Sequence, residues 1–238
     1  MRTAAVLLTM SAIGLAPGAA MARRAPVVVE LFTAQGCVSC NKANEVMAGL
    51  ANRPDVIALT WPVDYWDYLG WKDTFAEPEF TDRQKSYEGR VGLRDVYTPQ
   101  VVIGGQAQAA GDDPAAVSDL VSQARQASIP APDIVFQPRG RIAIGSGRPP
   151  RAPAEVWLIR YDASPAEVEV KAGDNRGARL TETDVVRQAV KLGRWKGRPA
   201  VYAVPAPAPD QESLREVILV QEPQGGRILT ARRRPDKN

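Results

Sequence analysis

The chain has 238 residues, with 30 Lys and Arg against 27 Asp and Glu, so its net charge of +3 is close to balance. It contains no histidine and only two cysteines. That excludes Ser-His-Asp and Cys-His nucleophile systems in their usual forms and histidine-based metal sites, and the scattered Lys and Arg form no nucleic-acid-binding patch.

The N-terminus reads as a secretory signal peptide over residues 1–22, with basic Arg2, an apolar stretch from Ala4 to Leu15 and a small-x-small site at Ala20-Met21-Ala22. The apolar run is shorter than the ~20 residues needed to span a bilayer. Cleavage near Ala22 predicts a periplasmic or secreted chain in an oxidising space, and no later segment is long and apolar enough to cross a membrane.

Residues 26–32 predict a strand and residues 41–51 a helix, with Ala43, Val46, Met47, Leu50 and Ala51 at i, i+3, i+4 spacing. The two cysteines lie between them in Cys37-Val38-Ser39-Cys40. Residues 55–60 predict a second strand. Segment 61–75 then holds six aromatic residues together with Asp64, Asp67 and Asp73. It reads either as a groove wall beside the thiols, with Tyr65 and Trp66 facing a ligand, or as an insertion that buries its rings. Thr81 is placed as the N-cap of a helix running to about residue 91. Thr98-Pro99 precedes a strand at 100–103; a proline there donates no ladder bond and is a candidate for a cis peptide. Asp112 or Asp113 caps a last helix, with Pro114 in its first turn. Strands alternating with helices imply an α/β layer over residues 23–128.

A stiff Ile129-Pro130-Ala131-Pro132 linker follows. Beyond it the pattern has period two, with strands predicted at 141–144, 155–161, 167–171, 185–192, 200–204, 216–220 and 227–229. Together they suggest an all-β sandwich or barrel over 129–238. Residues 185–193 also admit a short helix, and the basic run Arg232-Arg233-Arg234 reads as a solvated tail.

Two thiols two residues apart at a helix N-terminus suit reversible disulfide exchange. The helix dipole and its free N–H groups stabilise thiolate on Cys37. Cys40 lies within reach to break a mixed disulfide, and such chemistry needs no added cofactor. Val38 and Ser39 bring no positive charge, which leaves the helix N-terminus as the main acidifying influence. Two other readings stay open: a disulfide that braces a non-enzymatic binding or scaffold protein, and carriage of Cu(I) by the two thiolates.

Glu30 near the end of the first strand, the CxxC and then Thr98-Pro99 resemble, in that order, the thioredoxin superfamily. The runs Val29-Glu30-Leu31-Phe32-Thr33-Ala34-Gln35-Gly36-Cys37-Val38-Ser39-Cys40, Val63-Asp64-Tyr65-Trp66-Asp67-Tyr68-Leu69-Gly70-Trp71 and Val96-Tyr97-Thr98-Pro99-Gln100 look like one bacterial secreted family. It is catalogued as domain of unknown function 1223. Ala172-Gly173-Asp174-Asn175 and Leu192-Gly193-Arg194-Trp195 look similar to that family's second half. The resemblance implies a thioredoxin-like α/β domain, a central mixed sheet flanked by helices, followed by an all-β sandwich-like domain. It implies a candidate redox site and supplies no substrate; the preferred reading is a thiol–disulfide oxidoreductase acting on a protein or peptide, with Cys37 attacking and Cys40 resolving as in the thioredoxin superfamily. Glu30 would be either the buried acid that assists proton removal from Cys40 or a solvated edge carboxylate, and Thr98 and Pro99 would contact the substrate backbone. Members often carry proline soon after the second cysteine and histidine just before the Val-Asp-Tyr-Trp motif, where this chain has Asn41-Lys42 and Pro62.

Overall fold

A computed structural model describes residues 25–127 and 130–235; the signal peptide expected over residues 1–22 lies outside the described residues. The chain opens with β1 (Val27–Thr33), buried along its whole length, and turns into α1 (Cys40–Ala51). β2 (Val56–Pro62) is likewise buried throughout, as befits an apolar run covered on both faces. α2 (Pro78–Val91) carries proline in its first turn and ends at Gly92, whose φ of 75° closes the helix in the left-handed region. β3 (Gln100–Ile103) and β4 (Ala107–Ala110) form a hairpin. It leads to α3 (Pro114–Gln126), which Asp113 caps by accepting from the Ala115 and Ala116 amides, each at 3.1 Å.

Strands follow: β5 (Ile134–Gln137), β6 (Arg141–Ile144), β7 (Ala154–Asp162), β8 (Ala166–Glu169), β9 (Arg179–Glu182) and β10 (Val185–Trp195). β11 (Ala200–Ala203), β12 (Arg215–Gln221) and β13 (Ile228–Arg233) complete the set. One mixed sheet has the order β13-β12-β7-β10-β2-β1-β3-β4; β11-β6-β5 and β8-β9 form two smaller ones.

The expected helix-flanked thioredoxin-like layer, followed by a separate β-sandwich, is therefore corrected. Among the described residues there are thirteen strands and three α-helices, and eight of the strands form a single mixed sheet drawn from both halves of the chain. The reason lies at β2. As the edge of a separate layer it would expose a row of unpaired backbone groups on a strand buried on both faces, which favours association. β10 takes that edge instead, running parallel with Val185 opposite Thr60. The Thr60 amide donates to the Asp184 carbonyl (2.9 Å) and its hydroxyl to the Thr183 carbonyl (2.7 Å).

Side chains alternate across this sheet. Val28, Phe32, Leu59 and Trp61 pack with Phe80 and Tyr87 of α2, in a cluster that runs on to Ile159 and Leu219. Val29, Leu31 and Ala58 pack under Ala43 and Met47 of α1 and Val117 and Val121 of α3. Val156, Leu158 and Val220 meet Ile134, Ile142 and Ile144 of the three-stranded sheet.

Other local expectations also change. Residues 185–195 are strand throughout, and two register shifts against β7 disturb the alternation that made a helix conceivable. Thr81 does not cap α2, which starts after extended Glu77; its hydroxyl donates to Asp64 Oδ1 at 2.6 Å. β4, β5 and β9, of four residues each, were not among the expected strands. The basic run is no loose tail. Arg232 and Arg233 belong to β13 and reach the Ile134 carbonyl (2.7 Å) and the Tyr161 hydroxyl (3.1 Å), and Arg234 pairs with Glu216 at 2.6 Å.

Candidate functional site

Cys37 and Cys40 are joined as a disulfide, with Cα atoms 5.4 Å apart. Cys40 is the first residue of α1, and the turn before it is closed by the Cys37 amide to Ala34 (3.1 Å) and the Cys40 amide to Cys37 (3.2 Å). Ser39 at the N-cap makes no side-chain cap bond, and the first turn of α1 has no acidic residue. The Cys40 and Asn41 amides donate to the Cys37 and Val38 carbonyls (3.2 and 3.5 Å), so the positive end of the α1 dipole, rather than free N–H groups, favours negative charge on the thiols. The Ser39 hydroxyl lies 3.5 Å from Cys37 Sγ, placed to donate to a thiolate. Both cysteines are only 1% exposed, whereas Val38 between them is 58% exposed.

Gln35 organises the turn that precedes them. This fully buried residue donates its amide to Asp73 Oδ2 (2.7 Å), and its carbonyl accepts from Asn175 Nδ2 (2.8 Å). Its side-chain oxygen accepts from the Trp71 indole (3.0 Å) and the Thr74 amide (3.2 Å). The aromatic segment and the 173–177 turn are thereby fastened to the peptide two residues before Cys37. Gln35 and Asn175 both lie in the family-like runs, but no local signal gave either a role: one is a neutral polar residue after an apolar strand, the other sits in a glycine-rich turn.

The sequence-predicted contact residues are brought together. The Thr98–Pro99 peptide bond is cis. Trp66 donates its indole N–H to Thr98 Oγ1 at 2.8 Å, and a Cβ on Gly36 would meet Trp66 Cβ at 3.5 Å. Trp66 therefore spans from the cysteine turn to the proline loop. The Pro99 carbonyl accepts from the Gly111 amide (2.9 Å), and a Cβ on Gly111 would lie 3.0 Å from Ala43 of α1 and 3.2 Å from Pro99. Tyr65 and Trp66 are partly buried against the cluster that contains both cysteines. Burial pushes the Tyr65 phenol up to about 12. Trp61 is wholly buried and Tyr68 is 80% exposed, so the aromatic segment serves as both core and surface.

Glu30 is fully buried and held by Arg83 and Tyr87. Its Oε1 accepts from Arg83 Nε at 2.6 Å and its Oε2 from the Tyr87 hydroxyl. Arg83 lies over the Trp61 ring, 4.6 Å from its centroid, and also reaches Gln221 of β12 at 3.3 Å. The carboxylate thus anchors α2 and β12 to β1. Of the two departures from the resembled pattern, Pro62 ends β2, and Asn41 follows Cys40 with its Oδ1 buried and without a hydrogen-bond partner. Among the described residues no group of three or more Cys, Asp or Glu is arranged to hold a metal ion.

A further pair of acids, which no motif marked, lies near the turn. Glu182 is 1% exposed and neither of its carboxyl oxygens has a hydrogen-bond partner. Burial and the neighbouring Asp73 carboxylate push its acid up to about 8, against the pull of Arg187. Asp73 is itself raised, chiefly by burial.

The sequence profile described as "Protein of unknown function (DUF1223)" matches residues 28–221. Among solved structures, the chain is similar to protein AGR_C_4864 from Agrobacterium tumefaciens, at 28% identity and a TM-score of 0.74. That match covers 91% of this chain and 100% of that one. HBP35 of Porphyromonas gingivalis is similar in fold, with 12% identity and a TM-score of 0.58 over 89% of this chain and 75% of that one. No curated protein matches.

Proposed function

The chain belongs to the DUF1223 family of proteins of unknown function, and from that premise we propose that it is an exported thiol–disulfide oxidoreductase acting on a protein or peptide. The observation that carries this reading is the Cys37–Cys40 bond at the start of α1, where the helix dipole, unopposed by an acidic residue in the first turn, and the Ser39 hydroxyl favour thiolate. In the reducing direction, Cys37 thiolate attacks one sulfur of a substrate disulfide, whose S–S bond breaks and expels the other sulfur as thiolate. Cys40, giving up its proton, then attacks Cys37 Sγ in the mixed disulfide and expels the second substrate thiolate. Two electrons pass from the protein pair to the substrate, and the two thiol protons end on the substrate thiols; the oxidising direction is the reverse. Thr98, Pro99, Tyr65 and Trp66 would form the peptide contact beside the sulfurs.

One observation favours a second reading. At 1% exposure, neither sulfur offers an open path to an incoming thiolate, as befits a disulfide that braces a binding or scaffold protein. The equilibrium potential of the pair, titrated against dithiothreitol and glutathione, separates the two. A value between about −270 and −120 mV is expected for exchange, and one well below about −300 mV would mark a structural bond and overturn it. In parallel, Cys40→Ser should accumulate mixed disulfides on Cys37 if the pair exchanges, and only lose stability if it braces.

A further inference from the structure

β9 packs against α1. Along it Leu180 and Glu182 alternate with exposed neighbours, so Glu182 shares the inward face with a buried leucine. Both of its oxygens lack partners there. It lies close enough to Asp73 for their charges to oppose each other, and Asp73 holds the Gln35 amide two residues before Cys37. A buried carboxyl with no partner is costly when ionised and is retained neutral. Asp73 differs, because its oxygens accept from the Gln35 and Phe75 amides.

We propose that Glu182, held beside Asp73, is a positioning residue that keeps a proton near the Cys37–Cys40 turn and so couples its own ionisation to that of the thiols. The inference deepens the exchange reading and rests on it. Forming thiolate at the start of α1 places negative charge on the helix that β9 packs against, beside the turn that Asp73 holds. While Glu182 is protonated that charge meets Asp73 alone, and once Glu182 ionises a second carboxylate opposes it. In reduced protein above the pH at which Glu182 loses its proton, the thiols therefore hold theirs more tightly.

The other charges facing Glu182 are few. β10 contributes Arg187, which lies over the Phe75 ring (3.8 Å) and is 3.8 Å from Asp162 of β7. α1 contributes no buried charge; its buried residues are Cys40, Ala43, Asn44, Met47 and Leu50, and Lys42 and Glu45 are exposed. Asp184, two residues on, is balanced by Arg233 and Arg215.

The test is thiolate absorbance against pH for the reduced chain, wild type and Glu182→Gln, with the oxidised form of each as blank. Wild type should show a titration broadened around pH 8. Glu182→Gln should show a narrower curve, displaced to lower pH, with roughly two- to tenfold more thiolate where the wild-type thiol is still mostly protonated. Superimposable curves would overturn the proposal. Should Glu182→Gln not fold, the wild type serves: the infrared band of its buried protonated carboxyl should be lost at higher pH in the reduced than in the oxidised protein, and coincident losses would overturn the coupling. Neither readout needs a protein substrate. A potential outside the working window would thus overturn the exchange reading alone, whereas coincident titrations would overturn only this inference.

Discussion

Gln35 and Glu30 illustrate how far a residue's role can lie from its sequence neighbourhood. The cysteine spacing was legible because two thiols three positions apart meet within a single turn, whatever the rest of the chain does. Gln35 was silent because its partners Asp73 and Asn175 lie 38 and 140 positions away. Replacing it with alanine keeps its backbone bonds but strips the acceptor from the Trp71 indole and the Thr74 amide. The expected loss is about 1–3 kcal/mol of stability by denaturant unfolding. For Glu30 the local pattern left burial and a solvated strand edge equally open, because what buries it is distant: Arg83 and Tyr87 are 53 and 57 positions on. Glu30→Ala leaves Arg83, only 9% exposed, without its counter-charge. It should cost about 3–5 kcal/mol in the same measurement; a loss below about 1 kcal/mol would show that the pair is not the anchor described.

At the scale of elements, α1 and α3 were readable from apolar spacing and capping chemistry. Asp113→Ala should cost about 1 kcal/mol, because two first-turn amides lose their acceptor. The aromatic segment could not be read in this way, since its composition serves core and surface equally well. It is tied to the proline loop by the bond from Trp66 to Thr98. Trp66→Phe keeps an aromatic ring and deletes that donor, so dithiothreitol should reduce the Cys37–Cys40 bond faster than in wild type. An unchanged rate would mean that this tie does not limit access to the buried sulfurs. β10 escaped a clear assignment because its bulges break the alternation on which strand recognition depends.

For the whole molecule, the pairing of β10 with β2 makes the two halves of the chain interdependent. A fragment ending at residue 127 would expose the backbone edge of β2 and lose both Thr60 bonds to residues 183 and 184. It is expected to associate or remain unfolded, and a monomeric fragment with cooperative unfolding would contradict this. Acid–base behaviour also belongs to this scale. Burial raises Glu182 to about 8 and Asp184 to about 6, from 4.5 and 3.8. Between the unfolded and folded values the native state holds protons that the unfolded chain has released, so these two groups make stability fall as pH rises. Their contribution is complete below about pH 4 and lost through pH 6 and then pH 8. The Tm should therefore be higher at pH 5 than at pH 8.5, and Glu182→Gln should remove the upper part of that slope.

By itself the sequence determined the thiol pair, its place between a buried strand and a helix, the cis-proline candidate at residue 99 and the family to which residues 28–221 belong. All of these rest on spacing within a few residues or on runs of characteristic type. Tertiary structure alone decided that one eight-stranded sheet joins both halves, that Glu30 answers to Arg83, and that Glu182 is buried near the cysteine turn. Strand neighbours and buried polar partners depend on contacts between segments as much as 140 positions apart, as for Gln35 and Asn175. Local propensity carries no information about such distant choices; they follow from which edges and charges the folded chain must cover.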